Sequence, residues 1–335
     1  MHDYTAPSLL KPLPAMHSPV RSILDAIGQT PLVRLSRIGA DCPVPIWVKC
    51  EHLNPGGSTK DRIAKAIVTA AEQAGELQPG DTLIEATAGN TGVGLALVAA
   101  IRDYQLVCVM PEKMSEDKRR ALRALGAELI ITDNAPPDDP RNFQQVARRL
   151  AAERGWFLTD QFNHPANPTV HETTTGPEIL EQVGGQLGAF VAGAGTGGTI
   201  TGVARYLRHA CPDARIILAD PVGSGLADQV NTGKMGVDGA YTLEGIGSSA
   251  IPGVMAVDLI HEAISISDRD AYDMADRLVR EEGLLVGGSA GAAVAAAVQV
   301  ARRGGSGPIV AMLPDSWDRY QTSHFNPDWR AEHGV

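Results

Sequence analysis

The sequence predicts an α/β protein of two three-layer domains, each a mostly parallel sheet with helices on both faces. Three observations carry this. Short aliphatic runs alternate with longer amphipathic stretches from about residue 45 to 313, the pattern of parallel strands joined by helices. At 335 residues the chain can fill two cores. Its 36 glycines gather in short loops after apolar runs, where the backbone has to come close to something.

The elements follow in order. Met1 to about Ser18 hold three prolines and no periodicity, and read as a draped or flexible arm. Val20 to Ile27 forms a short helix, Gly28 to Pro31 a turn, and Pro45 to Lys49 a strand. From Asp61 to Ala74, Ile63, Ala64, Ile67, Val68 and Ala71 recur at helical spacing and Gly75 closes the helix. Thr82 to Glu85 is a strand, Gly92 to Ala100 a helix, and Leu106 to Met110 a buried strand. Ser115 caps a helix running to about Leu125, with Glu116 and Asp117 in its first turn. Glu128 to Thr132 is a strand, and Asn134 to Arg141, with its prolines and aspartates, an exposed connection. A helix then runs to Glu153, and Phe157-Leu158 leads to Gln161. A second unit starts near Asn163, with helices over 174–183, 198–209, 268–282 and 290–303 and strands over 189–192, 216–219 and 309–313. Ser267-Asp-Arg-Asp270 resembles a capping box, and Gly283 terminates the helix it starts.

Composition excludes several classes. The net charge of -10 and the absence of a basic run longer than Lys118-Arg119-Arg120 argue against nucleic acid or an anionic membrane as partner. No apolar stretch approaches a bilayer span and no signal peptide opens the chain. Cys42, Cys50, Cys108 and Cys211 are scattered without a C-x-x-C, which fits a reducing cytoplasm and no structural zinc. His164 and His171 lack a third ligand at metal spacing, so no metal is expected.

Chemistry concentrates in three loops. Asn54-Pro-Gly-Gly-Ser-Thr-Lys-Asp-Arg62 delivers Lys60 to a helix N-terminus, where the dipole disfavours an ammonium. A neutral amine there suits a Schiff base to an aldehyde cofactor, the bland alternative being a solvated lysine after a turn. Thr87-Ala-Gly-Asn-Thr-Gly92 and Gly193-Ala-Gly-Thr-Gly-Gly-Thr199 each follow a strand and precede a helix, so both offer free N–H groups to an anion. The second, with four glycines and two threonines, is the better phosphate cradle, and the first suits a polar ligand or carboxylate. Gly193-x-Gly-x-x-Gly198 also satisfies a dinucleotide fingerprint, but mid-chain, and an NAD(P) oxidoreductase would leave Lys60 without a role. No Gly-Lys-Ser/Thr completes a Walker loop. A non-catalytic binding module is a further alternative. His52, beside the lysine loop, reads as packing or hydrogen bonding rather than acid–base.

These loops, with Gln161-Phe-Asn-His-Pro-Ala-Asn167, Glu244-Gly-Ile-Gly247, Gly283-Leu-Leu-Val-Gly-Gly-Ser-Ala-Gly291 and Leu313-Pro-Asp-Ser316, run in one order over residues 25 to 328. Together they resemble the fold-type II pyridoxal-phosphate enzymes of the cystathionine β-synthase and cysteine synthase family. Met114-Ser-Glu-Asp-Lys118, Glu281 to Ser289 and the tail from Leu313 to Trp329 are more similar to the cystathionine β-synthase branch. The resemblance implies a homodimer with its active site in a cleft between domains. Residues 1–50 would be an arm and a segment packing on the large domain, 51–161 a smaller mobile substrate-side domain, and 162–335 a larger domain holding the cofactor phosphate.

It further implies that Lys60 carries pyridoxal 5'-phosphate, Asn90 bonds its 3'-oxygen, and Gly195, Thr196, Gly197, Gly198 and Thr199 hold its phosphate. Ser289 would meet the pyridine nitrogen, its plain alternative being a helix N-cap. Asp315 and Ser316, which follow the end of the 309–313 strand, are expected from that place to line the pyridine edge. Thr87, Ala88, Gly89, Thr91, Gln161 and Gly245 would face the substrate. The implied reaction is β-replacement on L-serine or an O-activated serine through an aminoacrylate, with Lys60 as base. L-homocysteine would give L-cystathionine, and the alternative is cysteine synthesis from sulfide. Two departures leave the substrates open. Ala88 replaces the family's usual serine, and Ser248-Ser-Ala250 stands where cystathionine-forming members carry an aromatic and an acid. The arm is too short for a haem-binding extension and no regulatory module follows the core, so haem-independent activity without appended control is expected.

Overall fold

The computed structural model describes residues 19–136 and 139–335, so the expected arm of 1–18 lies outside the described residues. A short 3-10 turn at Ile23–Ala26 is capped by the Ser22 hydroxyl and leads to β1 (Leu32–Arg34) and β2 (Ile46–Cys50). The lysine loop follows, then α1 (Lys60–Ala74), ended by Gly75 in the left-handed conformation that glycine adopts without strain. Next come β3 (Thr82–Ala86), α2 (Asn90–Arg102), β4 (Gln105–Pro111), α3 (Glu116–Ala124), β5 (Glu128–Thr132), α4 (Phe143–Arg154) and β6 (Phe157–Leu158). A nearly unbroken helical run contains α5 (Ala166–Val170), a π turn at His171–Thr175 and α6 (Gly176–Gln182). The remaining elements are β7 (Ala189–Ala192), α7 (Gly198–Ala210), β8 (Arg215–Pro221), α8 (Leu226–Thr232), β9 (Glu262–Ile266), α9 (Asp268–Glu282), α10 (Gly288–Arg302), β10 (Ile309–Leu313) and α11 (Pro327–His333).

The strands make two sheets. One is ordered β1-β2-β10-β7-β8-β9 and the other β5-β4-β3-β6. All described pairings are parallel except β1 with β2, where Leu32 faces Lys49. β2 therefore joins the sheet built from the C-terminal half, with Ile46 opposite Ile309 and Cys50 opposite Leu313. Alternate residues feed opposite faces, as the two-residue strand period requires. In β7, Val191 joins one apolar cluster with α9 and α10, while Phe190 and Ala192 join another with α6 and α7. In β3, Leu83 packs toward α1 and α2, and Ile84 toward α4. Each sheet is thus covered on both faces, giving the expected α/β architecture.

Helix α10 is buried on nearly every side because ten of its fifteen residues are Gly, Ala or Ser. A Cβ on Gly291 would stand 1.9 Å from the Ala271 carbonyl oxygen, so glycine permits the close crossing of α10 over α9. Ser267 accepts from the Asp270 N–H and caps α9 as its sequence suggests. Two cap expectations are corrected. Ser115 holds the N-cap position of α3 but its side chain makes no cap bond. Ser289 is not the N-cap of α10: the helix starts earlier, behind Gly287, and Ser289 lies in its first turn.

Candidate active site

Several strands of the two sheets end toward one cleft, which is where open parallel sheets bind ligands. Lys60, Asn90, Gly195, Thr196, Gly197, Thr199, Gly245 and Ser289, all expected from sequence, line it together with Thr59, Ile246, Met312, Pro314 and Asp315. A separate groove between α1 and α5, walled by Ile27, Lys65 and Val170, contains none of the expected residues.

Lys60 is the first residue of α1, and its loop is tied to the end of β10. Thr59 N–H donates to the Pro314 carbonyl (2.8 Å), Ser316 N–H to the Gly57 carbonyl (3.2 Å), and the Arg319 guanidinium to the carbonyls of Gly56 and Gly57. Burial lowers the affinity of the Lys60 amine for its proton, and the nearby Asp315 carboxylate partly opposes this.

The 193–199 loop turns from β7 into α7. A Cβ on Gly195 would stand 2.3 Å from the Gly245 carbonyl oxygen, and Gly197 has φ +79° with Met255 pressed against it. Only glycine fits both places without displacement. Gly198 sits behind the cradle rather than in the lining, its Cα packed on the Asn167 amide.

Asn90, at the first position of α2, donates through Nδ2 to Asp315 Oδ2 (2.7 Å), which also accepts from the Tyr320 hydroxyl (2.6 Å). Asn90 Oδ1 and Asp315 Oδ1 are buried with no partner among the described residues. Burial pushes the Asp315 carboxyl up, against the hydrogen bonds from Tyr320 and Asn90.

Thr87, Thr91 and Gln161 are buried at the end of the four-stranded body. Thr91 donates to Gln161 Oε1 (2.6 Å), and Thr87 Oγ1 accepts from Gly89 N–H (3.2 Å). Ala88 is half-buried against the apolar cluster beside α2, and Gly89 is exposed. Behind Gln161 stands Glu85, which accepts from its backbone N–H (3.2 Å) and amide (3.5 Å) and from the Thr159 hydroxyl. Burial raises the Glu85 pKa, and these bonds pull against it.

Sequence reading passed over Glu85, Tyr320 and Asn167 as site residues. Asp315 was the one of this layer it picked out, from its place after a strand. Glu85 meets Thr159 and Gln161 74 and 76 residues on, Asn167 meets Thr196 29 residues on, and Tyr320, though five residues from Asp315, joins it beside Asn90, 225 residues away, so no local pattern marks them. His171, considered only as a metal ligand, is instead enclosed between Thr175 and Thr199. No cluster among the described residues could hold a metal ion. Burial pushes the His52 imidazole down to about 4, against the Glu51 charge.

The donor set fits pyridoxal 5'-phosphate: a buried primary amine for an aldehyde, an N–H and hydroxyl cradle at a helix N-terminus for a phosphate ester, and orphaned buried atoms of Asn90 and Asp315 between them. The comparisons agree. A match to the pyridoxal-phosphate dependent enzymes spans residues 23–315. The cystathionine beta-synthase of Dictyostelium discoideum is 43% identical over 93% of this chain, which spans 63% of that protein's length. A cysteine synthase of Staphylococcus aureus is 42% identical over 90% of this chain and 96% of its own. The crystal structure of O-ureido-L-serine synthase superposes with a TM-score of 0.85 at 38% identity, covering 95% of this chain and 100% of that one. The chain belongs to the family of pyridoxal-phosphate dependent enzymes.

Proposed function

We propose that the chain catalyses β-replacement on an O-activated L-serine with a small nucleophile, sulfide first, to give L-cysteine. The observation that carries the chemistry is the buried Lys60 amine set in one cleft with the 195–199 cradle. The choice of a small nucleophile is supported by the near end-to-end match to a cysteine synthase and by the small side chains of Ser248, Ser249 and Ala250 beside Gly245. A second reading, L-serine with L-homocysteine to L-cystathionine, is favoured by Met114-Ser-Glu-Asp-Lys118, Glu281 to Ser289 and the tail from Leu313 to Trp329, and by the identity to the Dictyostelium protein.

Pyridoxal 5'-phosphate, when bound, supplies an aldehyde that condenses with amines and a ring that takes up the electron pair left at Cα. Lys60 Nζ, withdrawn from water and placed where the α1 dipole opposes a positive charge, takes the Cα proton and later returns it. Thr87, the turn to Gly89 and the first N–H groups of α2 bind the substrate carboxylate. Gln161, its amide oriented by Thr91 and Glu85, offers that carboxylate a further N–H. Ser289 presents a hydroxyl to the ring nitrogen, which does not enforce a proton there as a carboxylate would.

The experiment is a matrix of donors (serine, O-acetylserine, O-phosphoserine) against sulfide and homocysteine, with products identified by mass. Cysteine from an O-activated donor should form fastest. If serine with homocysteine dominates, the second reading replaces the first, and no product from any pair removes both.

A further inference from the structure

α5 and the π turn bring two buried polar side chains against the back of the 195–199 loop. Asn167 is 1% exposed and His171 0%. Asn167 Nδ2 donates to the Gln161 carbonyl (2.7 Å) and to Thr196 Oγ1 (3.1 Å). A backbone carbonyl only accepts, so the amide nitrogen must face both. Thr196 Oγ1 is therefore an acceptor here, and its own proton points elsewhere.

His171 poses the same question with two answers. Nδ1 lies 2.9 Å from Thr175 Oγ1, and Nε2 lies 3.2 Å from Thr199 Oγ1. Distance alone permits the proton on either nitrogen. The Thr175 hydroxyl decides between them. It is fully buried, and Nδ1 is its one side-chain partner among the described residues. A proton on Nδ1 would leave the Thr175 O–H with no acceptor, a cost the other tautomer avoids. Thr199 has no such constraint, because it is half-buried and lines the cleft. Nδ1 thus accepts from Thr175, and Nε2–H donates to Thr199. Burial and the neighbouring Arg62 and Lys60 charges push the imidazole down to about 3 against Glu51 and Glu178, so it carries a single proton in this exchange.

We propose that Asn167 and His171 are positioning residues that donate to Thr196 and Thr199 from behind, so that both hydroxyl protons turn into the cleft and are given to the cofactor's phosphate ester. The proposal rests on the reading of 195–199 as the phosphate site. It supplies what that loop otherwise lacks, because residues 193–199 include no lysine or arginine and must hold an anion with N–H and O–H groups and the α7 N-terminus alone.

The test is reconstitution of the apoprotein with pyridoxal 5'-phosphate and, separately, with pyridoxal, followed by absorbance. His171→Phe should weaken binding of the phosphate ester about 10- to 100-fold and leave pyridoxal within about twofold. His171→Gln, which keeps an N–H for Thr199, should recover most of the loss. Equal weakening of both ligands would make His171 a packing residue and overturn the proposal. If the wild-type protein binds the two ligands alike, the phosphate assignment of the loop itself falls, and the proposal with it. Should His171→Phe fail to fold, Asn167→Ala serves, since it removes the donor to Thr196 and should weaken the phosphate ester more than pyridoxal, equal weakening of both again overturning the proposal. Imidazole 15N NMR of the wild type should find the His171 proton on Nε2, and a proton on Nδ1 would overturn the account.

Discussion

The Lys60 residue is half-buried at the first turn of α1, with its amine desolvated and within electrostatic reach of one buried carboxylate, Asp315. Lys60→Ala should remove the borohydride-fixed cofactor and lower turnover by about 10²- to 10⁴-fold, the usual reach of a positioned acid–base group. Gln161 is expected to act mainly in substrate binding. Gln161→Ala deletes one charge-assisted bond and should raise KM for the donor about 10- to 100-fold with a smaller effect on kcat, measured by steady-state kinetics. The lysine loop and the 193–199 cradle were legible because each is contiguous and its glycines are demanded by the turn. Glu85 and Asp315 were harder to read. An acid at a strand end looks alike whether it faces water or, as Asp315 does, Asn90 from across the fold and the neighbouring Tyr320 hydroxyl.

Among the elements, α1 does two jobs. Its first residue faces the cleft, and Arg62, two positions on, enters a buried ion network with Glu51 (2.7 Å) and Glu178 (2.7 Å), which also pairs with Lys49 (2.7 Å). Arg62→Ala leaves Glu51 buried and unpaired, and should cost about 3–5 kcal/mol in urea unfolding of the apoprotein. Burial alone would raise the Glu51 pKa, but the Arg62 charge and its hydrogen bonds hold it at about 2. The unfolded chain, titrating near 4.5, then binds more protons than the native state between those values. The network's contribution is full above pH 4.5 and is lost as pH falls toward 2. Wild-type unfolding free energy should drop across that window, and Glu51→Gln should flatten the drop. Helix α1, strand β7 and the Ser267 cap were readable from local periodicity and capping chemistry. The 166–173 run was not, because Pro165, Pro168 and several threonines read as loop and no periodicity marks a π turn at 171–175. Strand β9 and helices α8 and α11 also escaped the sequence reading.

At the scale of the molecule, two sheets covered on both faces meet along the cleft, and β2 reaches the larger sheet from the N-terminal part of the chain. Periodicity could identify β2 as a strand but not its neighbour, since pairing with β10 spans most of the sequence. The Lys118–Glu244 ion pair joins α3 to the loop before Gly245 and so bridges the two bodies. Being partly exposed, it should contribute little to stability: Lys118→Ala is expected to change the unfolding free energy by less than about 1 kcal/mol. No described helix is long and apolar enough to cross a membrane. The measurement that bears most directly on the whole account is to reduce the purified holoenzyme with borohydride, digest it and locate the phosphopyridoxyl label by mass spectrometry. The label should fall on Lys60 alone; a label on Lys49, Lys65 or any other lysine would contradict it.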